Sequence, residues 1–168
     1  MEINKKSIVI YFSRADENYA VGYIDKGNTE VIAEYIRDIV GADTFKVEPK
    51  NPYSAVYNTC IEEAKVRHAN HDAPIVAPIP DLTDYEVVYI GSPIYWGGMP
   101  EELITALKGA RFEGKIIRPF TTHEGSGLSN VPSQIKQICT GATVLDGLAI
   151  QGSRVNSSKN TVESWIKQ

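Results

Sequence analysis

At 168 residues the chain is long enough for one domain to bury a substantial core without disulfide or metal staples. Its 17 basic and 21 acidic side chains leave a net charge of −4, so no positive field exists to gather nucleic acid or an anionic membrane. Cys60 and Cys139 stand outside any Cys-x-x-Cys pair, which gives zinc and dithiol redox chemistry no support and predicts two buried free thiols in a reducing compartment.

Met1-Glu2-Ile3-Asn4-Lys5-Lys6 holds no apolar segment of the kind found in a secretion signal, and no run approaches membrane-spanning length. The expected location is cytoplasmic. Ile8-Val9-Ile10-Tyr11-Phe12 is a continuous apolar run, the mark of a strand covered on both faces, and it gives way to Ser13-Arg14-Ala15. Asp16 to Lys26 fits neither a helix nor a clean strand. Tyr19, Val21 and Tyr23 alternate there before Gly27, which predicts an inserted loop or a small hairpin. Thr29 to Val40 reads as a helix with Ile32, Tyr35, Ile36 and Ile39 on one face, Asn28 as its cap and Gly41 as its stop.

Thr44-Phe45-Lys46-Val47 alternates as a half-buried strand, and beyond Pro49 and Pro52 the residues Val56, Cys60, Ile61 and Ala64 mark a helix reaching about Ala69. Asp72 to Asp84 is loop. Val87-Val88-Tyr89-Ile90 is a buried strand, and Glu101 to Lys108 a helix with Pro100 at its first position. Lys115 to Thr121 reads as a strand whose Pro119 requires a bulge or an end position. A helix around Ser133 to Cys139, a strand within Thr143 to Ile150 and a helix from Ser158 to Lys167 complete the chain. Five strand-then-helix units predict a single α/β, doubly wound domain over residues 1–168, without repeats or linkers.

Three loops fall at the carboxyl ends of strands, the edge where open α/β sheets bind ligands. Gly91 to Pro100 sets Tyr95 beside Trp96 among glycines, an arrangement suited to a planar partner, here read as a flavin ring. A carbonyl in Trp96-Gly97-Gly98 is expected to accept a hydrogen bond when the redox-active ring nitrogen gains a proton. Ser13 and Gly27-Asn28-Thr29 bring hydroxyls and helix-opening amides together, which favours a phosphate held mostly by neutral donors, with Arg14 and Lys26 the nearest cations. Neither the dinucleotide fingerprint nor a P-loop follows the first strand. Thr121 to Gly127 is rich in small residues and hydroxyls, with His123 and Glu124 its ionisable members. His68 and His71 lack a carboxylate-histidine motif and read as a solvated helix end. No serine sits in a Gly-x-Ser-x-Gly elbow.

Tyr11-Phe12-Ser13-Arg14, Gly27-Asn28-Thr29, Tyr57-Asn58 to Cys60 and Ala64, Pro93-Ile94-Tyr95-Trp96-Gly97-Gly98-Met99-Pro100, Thr121 to Gly127 and Asp146-Gly147-Leu148 together resemble the flavodoxin family, in its bacterial flavodoxin-like branch. The resemblance spans Ser7 to Ile166. It implies a three-layer sandwich, a five-stranded parallel sheet of order 2-1-3-4-5 with helices on both faces, and FMN bound non-covalently at the switch point. Carried over by position, Ser13, Arg14, Ala15, Asn28 and Thr29 would surround the phosphate. Pro93, Ile94, Tyr95, Trp96 and Gly97 would contact one side of the ring, and Thr122, His123, Glu124, Gly125 and Gly127 the other. Two departures stand out: Asp16 to Lys26 interrupts the phosphate loop as a potential flap, and the third loop lacks the aromatic that covers the outer flavin face.

Two functions fit this reading. In the first the protein is an electron carrier between protein partners; in the second it is an FMN-dependent NAD(P)H oxidoreductase acting on a quinone, a flavin or another small acceptor. The carrier is favoured because the loops hold no obvious nicotinamide clamp or proton donor beyond His123.

Overall fold

The computed structural model describes residues 6–168, and the amino-terminal reading of Met1 to Lys5 lies outside them. In chain order the elements are β1 (Ser7–Tyr11), β2 (Asp16–Asn18), β3 (Gly22–Ile24), α1 (Asn28–Val40), β4 (Asp43–Lys46), α2 (Tyr57–Asn70) and β5 (Val87–Pro93). Then come α3 (Glu101–Lys108), β6 (Ile116–His123), α4 (Val131–Ile138), β7 (Thr143–Val144), β8 (Leu148–Gln151), a 3-10 helix (Gly152–Ser157) and α5 (Lys159–Ile166).

The main sheet runs β4-β1-β5-β6, with β7 and β8 both on the outer edge of β6 and every pairing parallel. This is the expected order with its fifth place divided. Ile117 pairs with Val144 and Phe120 with Leu148, so Arg118 and Pro119 face three residues, Leu145-Asp146-Gly147. The cause lies in Pro119. Leu145 N–H donates to Ile117 O at 2.9 Å, and by backbone alternation the amide that Pro119 lacks would point to this same edge. The proline is tolerated inside β6 because the neighbouring strand bulges away from it.

Strand residues alternate between two cores, as a period of two demands. Ile8, Ile10, Phe12, Val88 and Ile90 pack with Leu103 and Leu107 of α3 and Ile135 of α4, while Val9, Tyr11, Val87 and Tyr89 pack with Ile32 and Ile36 of α1 and Trp165 of α5. Three layers result, with α2 alongside α3. Arg118 is buried, and its guanidinium donates to the carbonyls of Ile166 (2.8 Å) and Trp165 (2.6 Å), so a sheet cation holds the carboxyl end of α5, where the helix dipole is negative.

Several boundaries differ from the sequence reading. Gly27, not Asn28, is the cap residue of α1, and no side chain of its own closes that end; instead Ser13 Oγ accepts from Glu30 N–H at 3.0 Å. Pro100 caps α3 rather than opening it, and α4 starts at Val131. β5 runs on through Gly91 and Ser92 to Pro93 because β6 continues beside it, pairing Thr121 with Ser92 and Thr122 with Pro93. Gly91 is required in that register: a Cβ there would lie 2.1 Å from Phe120 Cζ. Asp16 to Lys26 does form a hairpin, β2 with β3.

Candidate functional site

A cleft of about 330 Å³ opens at the carboxyl edge of β1, β5 and β6. One end is polar, walled by Asn28 and Thr29 of α1, by Thr122 and His123 at the end of β6 and by Glu124 and Ser126 after it. The other end is aromatic and apolar, walled by Pro93, Ile94, Tyr95 and Trp96 and by Tyr57, Cys60, Ile61 and Ala64 of α2. Arg14, Asn18 and Tyr19 complete the rim.

The polar end is built on the first turn of α1. Ser13 satisfies the third amide of the helix, and Val31 N–H reaches Gly27 O at 3.3 Å. The Asn28 and Thr29 amides keep no such partner among the described residues, so they remain available where the helix dipole favours an anion. Beneath them the buried hydroxyls of Thr29 and Thr122 share a hydrogen bond of 2.7 Å, which fixes α1 to β6. Ser13 works under the cleft rather than on its wall, and a Cβ on Gly27 would lie 2.1 Å from its Oγ, so glycine is needed for the helix to start there.

Arg14 ties the hairpin to the approach of α2. Its guanidinium donates to the carbonyls of Glu17, Ser54 (2.7 Å) and Ala55 (3.0 Å), and its buried Nε has no partner. Among the described residues this cation at the rim pairs with backbone only. Glu17 completes the tie: its N–H reaches Ala55 O at 3.2 Å, and its carboxylate accepts from Tyr57 N–H at 2.6 Å. Tyr19 leans on Tyr57, with ring centroids 5.9 Å apart. Of the three alternating residues expected to form a flap, Tyr19 lines the cleft, whereas Val21 and Tyr23 do not reach it.

The aromatic end turns on Tyr95-Trp96-Gly97-Gly98. Tyr95 N–H donates to Gly98 O (2.8 Å) and Gly98 N–H to Tyr95 O (3.2 Å), while Trp96 and Gly97 have φ of 51° and 83°. Positive φ at both central positions makes this a type I′ turn. Gly97 O accepts from Ser129 Oγ (2.7 Å) and Asn130 N–H (3.1 Å), so among the described residues Trp96 O is the one carbonyl of the four left open. The indole of Trp96 is 52% exposed and donates to Ile61 O at 2.9 Å, which stands it against α2. Tyr95 packs edge-on to Phe12 and Tyr53. Burial pushes both the Tyr95 hydroxyl and the Cys60 thiol above their ordinary ranges, so each is neutral at physiological pH.

Of the expected site residues, the structure brings Arg14, Asn28, Thr29, Pro93, Ile94, Tyr95, Trp96, Thr122, His123 and Glu124 to one cleft. Ala15, Gly97, Gly125 and Gly127 shape the loops behind it without forming its wall. Tyr57, Cys60 and Ala64 entered the sequence reading through the family resemblance but not as site residues, and Ile61 and Asn18 were not read as part of the site. Tyr57, Cys60, Ile61 and Ala64 recur at helical spacing, and that pattern signals a core-facing stripe whether the stripe meets a core or a cleft. His68 and His71 are more than a solvated end: their Nδ1 atoms lie 3.2 and 3.0 Å from the two oxygens of buried Glu101. No group of side chains suited to a metal ion occurs among the described residues, and no helix there is long and apolar enough to cross a membrane.

The family model described as Flavodoxin matches residues 8–168. A provisionally named flavoprotein from Bacteroides uniformis is 24% identical, with 98% of this chain and 99% of that one covered and a TM-score of 0.77. A flavoprotein from Lactobacillus acidophilus solved in complex with FMN is 21% identical over 91% and 97% of the two chains, with a TM-score of 0.63. Oxidised Flavodoxin 2 from Bacillus cereus follows at 17% identity, 96% and 98% coverage and a TM-score of 0.55. No curated protein matches. At these identities the structural likeness speaks to the fold, and the family model speaks to descent. With that model spanning the sheet, all five helices and the three cleft-forming loops, the chain belongs to the flavodoxin family, whose cofactor is FMN.

Proposed function

We propose that the protein holds FMN in this cleft and serves as an electron carrier. The residues present fit the cofactor. Open amides at the start of α1, with the Arg14 cation on the rim, suit a phosphate, while Tyr95 and Trp96 supply a ring wall at the opposite end. When bound, FMN supplies one- and two-electron redox chemistry; the chain binds it, orients it and limits its contact with water.

The observation that carries the redox assignment is the type I′ turn in which Trp96 O, beside the ring wall, is the one carbonyl without a partner among the described residues. A carbonyl in a glycine-flanked turn is able to accept a hydrogen bond from a ring nitrogen that gains a proton on reduction, and so couples proton uptake to the redox state. His123 Nδ1 accepts from Gly125 N–H at 2.8 Å, which braces the third loop and leaves the ring proton on Nε2.

A second reading, direct reduction of FMN by NAD(P)H with delivery to a quinone or flavin, is favoured by one feature. Gly125 and Ser126 are exposed and no aromatic stands in their loop, so a planar substrate has an approach to the ring. The two separate in one assay. FMN-loaded protein mixed with NADH or NADPH and a quinone should turn over only when a flavin reductase is added; steady turnover without one would reject the carrier in favour of the oxidoreductase.

A further inference from the structure

Among the described residues five non-glycine positions hold a left-handed backbone, and two of them meet at one contact. Trp96 (φ 51°) is the first central residue of the type I′ turn, and Ser129 (φ 49°) donates through Oγ to the carbonyl of Gly97, the second, at 2.7 Å. For a bulky side chain such a backbone is strained and persists only where the surroundings over-determine it. A Trp-Gly pair would otherwise suit a type II turn, which asks for positive φ at its second centre alone. The surroundings here are α2 and the start of α4. On one side the indole of Trp96 donates to Ile61 O at 2.9 Å. On the other, Asn130 N–H joins Ser129 on Gly97 O at 3.1 Å, and Gln134 Oε1, one turn further along α4, accepts from Met99 N–H at 2.9 Å. Gln134 also fills the space over Gly98, where a Cβ would lie 2.6 Å from Oε1.

These contacts hold the peptide units of the turn unequally. The Gly97–Gly98 peptide is tied at both ends, its carbonyl by Ser129 and Asn130 and its amide by Tyr95 O, and the Tyr95–Trp96 peptide is tied through that same Tyr95 oxygen. The Trp96–Gly97 peptide between them has no partner at its carbonyl or its amide among the described residues. Its orientation is therefore set by its neighbours, and the neighbour on the Gly97 side is set from α4. Ser129, Asn130 and Gln134 do not line the cleft, so any influence they have on a bound ring passes through the turn. Asn130 acts through its backbone, which leaves the Ser129 hydroxyl as the side-chain part of the clamp on Gly97 O. We infer that Ser129 is a positioning residue: its hydroxyl pins Gly97 O, keeps the turn in its type I′ form and so fixes where Trp96 O stands at the ring wall.

The role given to Ser129 rests on the redox role proposed for Trp96 O, and the test separates the two. FMN-loaded wild type, Ser129→Ala and Ser129→Gly are compared by redox titration, with FMN affinity, the melting temperature of the apo form and the anisotropy of its tryptophan emission measured alongside. Alanine removes the hydroxyl and keeps the left-handed strain, whereas glycine removes both and remains decisive if the alanine variant does not fold. In both variants the equilibrium constant for forming the half-reduced state is expected to fall about tenfold, so that the first one-electron potential drops relative to the second by about 59 mV. Affinity for oxidised FMN should change by less than about threefold. In the apo form Trp96 emission should lose anisotropy, over a constant background from Trp165, which is 4% exposed in the core. An unmoved potential difference in both variants would overturn the inference; if Gly97→Ala left it unmoved as well, the redox role of the turn would go with it. A shift with alanine but not with glycine would assign the effect to backbone strain at residue 129, and would overturn it. Both potentials moving in step, their difference kept, would mean a general loosening of the cleft and would do the same. Wild-type protein that takes up no FMN would remove the cofactor reading itself and this inference with it.

Discussion

The two helices that wall the cleft are held by different forces. α1 buries Thr29, Ile32, Ala33 and Ile36 against the sheet, ends at Gly41 in the left-handed conformation and is locked at its start by the Thr29–Thr122 hydrogen bond. α2 buries only Cys60 and Ala64. Its far end is held instead by charge: Arg67 pairs with buried Glu102 at 2.7 Å, Tyr53 donates to the same carboxylate at 2.7 Å, and His68 and His71 grip Glu101. The contrast teaches how the labour is divided. The wall that would hold the phosphate is part of the core, whereas the wall facing the ring is docked on it and can adjust without unfolding the domain.

Removing apolar bulk from α1 should have the largest effect. Ile36→Ala is expected to lower stability by about 2–5 kcal/mol, measured by urea unfolding, because it empties a fully buried site between helix and sheet. Equal losses from this change and from a truncation on α2 would break the contrast. Glu102→Gln tests the polar clamp. A loss of about 2 kcal/mol is expected, on the low side for one member of a buried pair because Arg67 retains some water, together with a more mobile Trp96 in fluorescence anisotropy.

A smaller change sharpens the ring wall. Gly97→Ala places a Cβ at φ 83° and should cost about 1 kcal/mol, while moving the two one-electron potentials of bound FMN relative to each other. Unmoved potentials would detach the turn from the redox chemistry.

The two thiols mark the two regions. Burial pushes Cys139, packed in the core, from about 9 up to about 12, and raises Cys60 as well. A folded value above the unfolded one means that the stabilisation from the neutral Cys139 thiol is complete below about pH 9 and is lost as pH rises toward about 12. Urea midpoints should therefore fall above pH 9, less steeply in Cys139→Ala. In thiol labelling of apo-protein at pH 8, Cys60 should react before Cys139 as α2 opens locally, and FMN should slow Cys60 alone.

Much of this was legible in the sequence, for physical reasons. The apolar runs of β1 and β5, the stripe on α1 and the glycine at its end are local signals, and α3 falls on Glu101 to Lys108 as its pattern predicts. What escaped was non-local. Ser13 was placed at the start of α1 as a phosphate ligand, but that its Oγ instead accepts from Glu30 N–H, 17 residues away across the inserted hairpin, is not encoded in any local pattern. Pro119 pointed to a bulge, yet the irregularity appears in the neighbouring strand, which only the register reveals. His68 and His71 acquire their role from Glu101 on another helix. The cleft itself was visible as three loops at one sheet edge, because topology alone brings strand ends together. Its α2 wall was touched only by the family resemblance of Tyr57, Cys60 and Ala64, since Cys60 and Ala64 carry the same spacing as core residues and do not by themselves signal a cleft.

The most direct measurement is calorimetric titration of the folded apo-protein with FMN, with flavin fluorescence recorded in parallel. Saturation at one FMN per chain, fluorescence quenched by the Tyr95–Trp96 wall and weaker uptake of riboflavin are the expected results. A well-folded protein that shows no saturable uptake of FMN, or that binds it with the flavin fluorescence unchanged, would contradict the cleft assigned here.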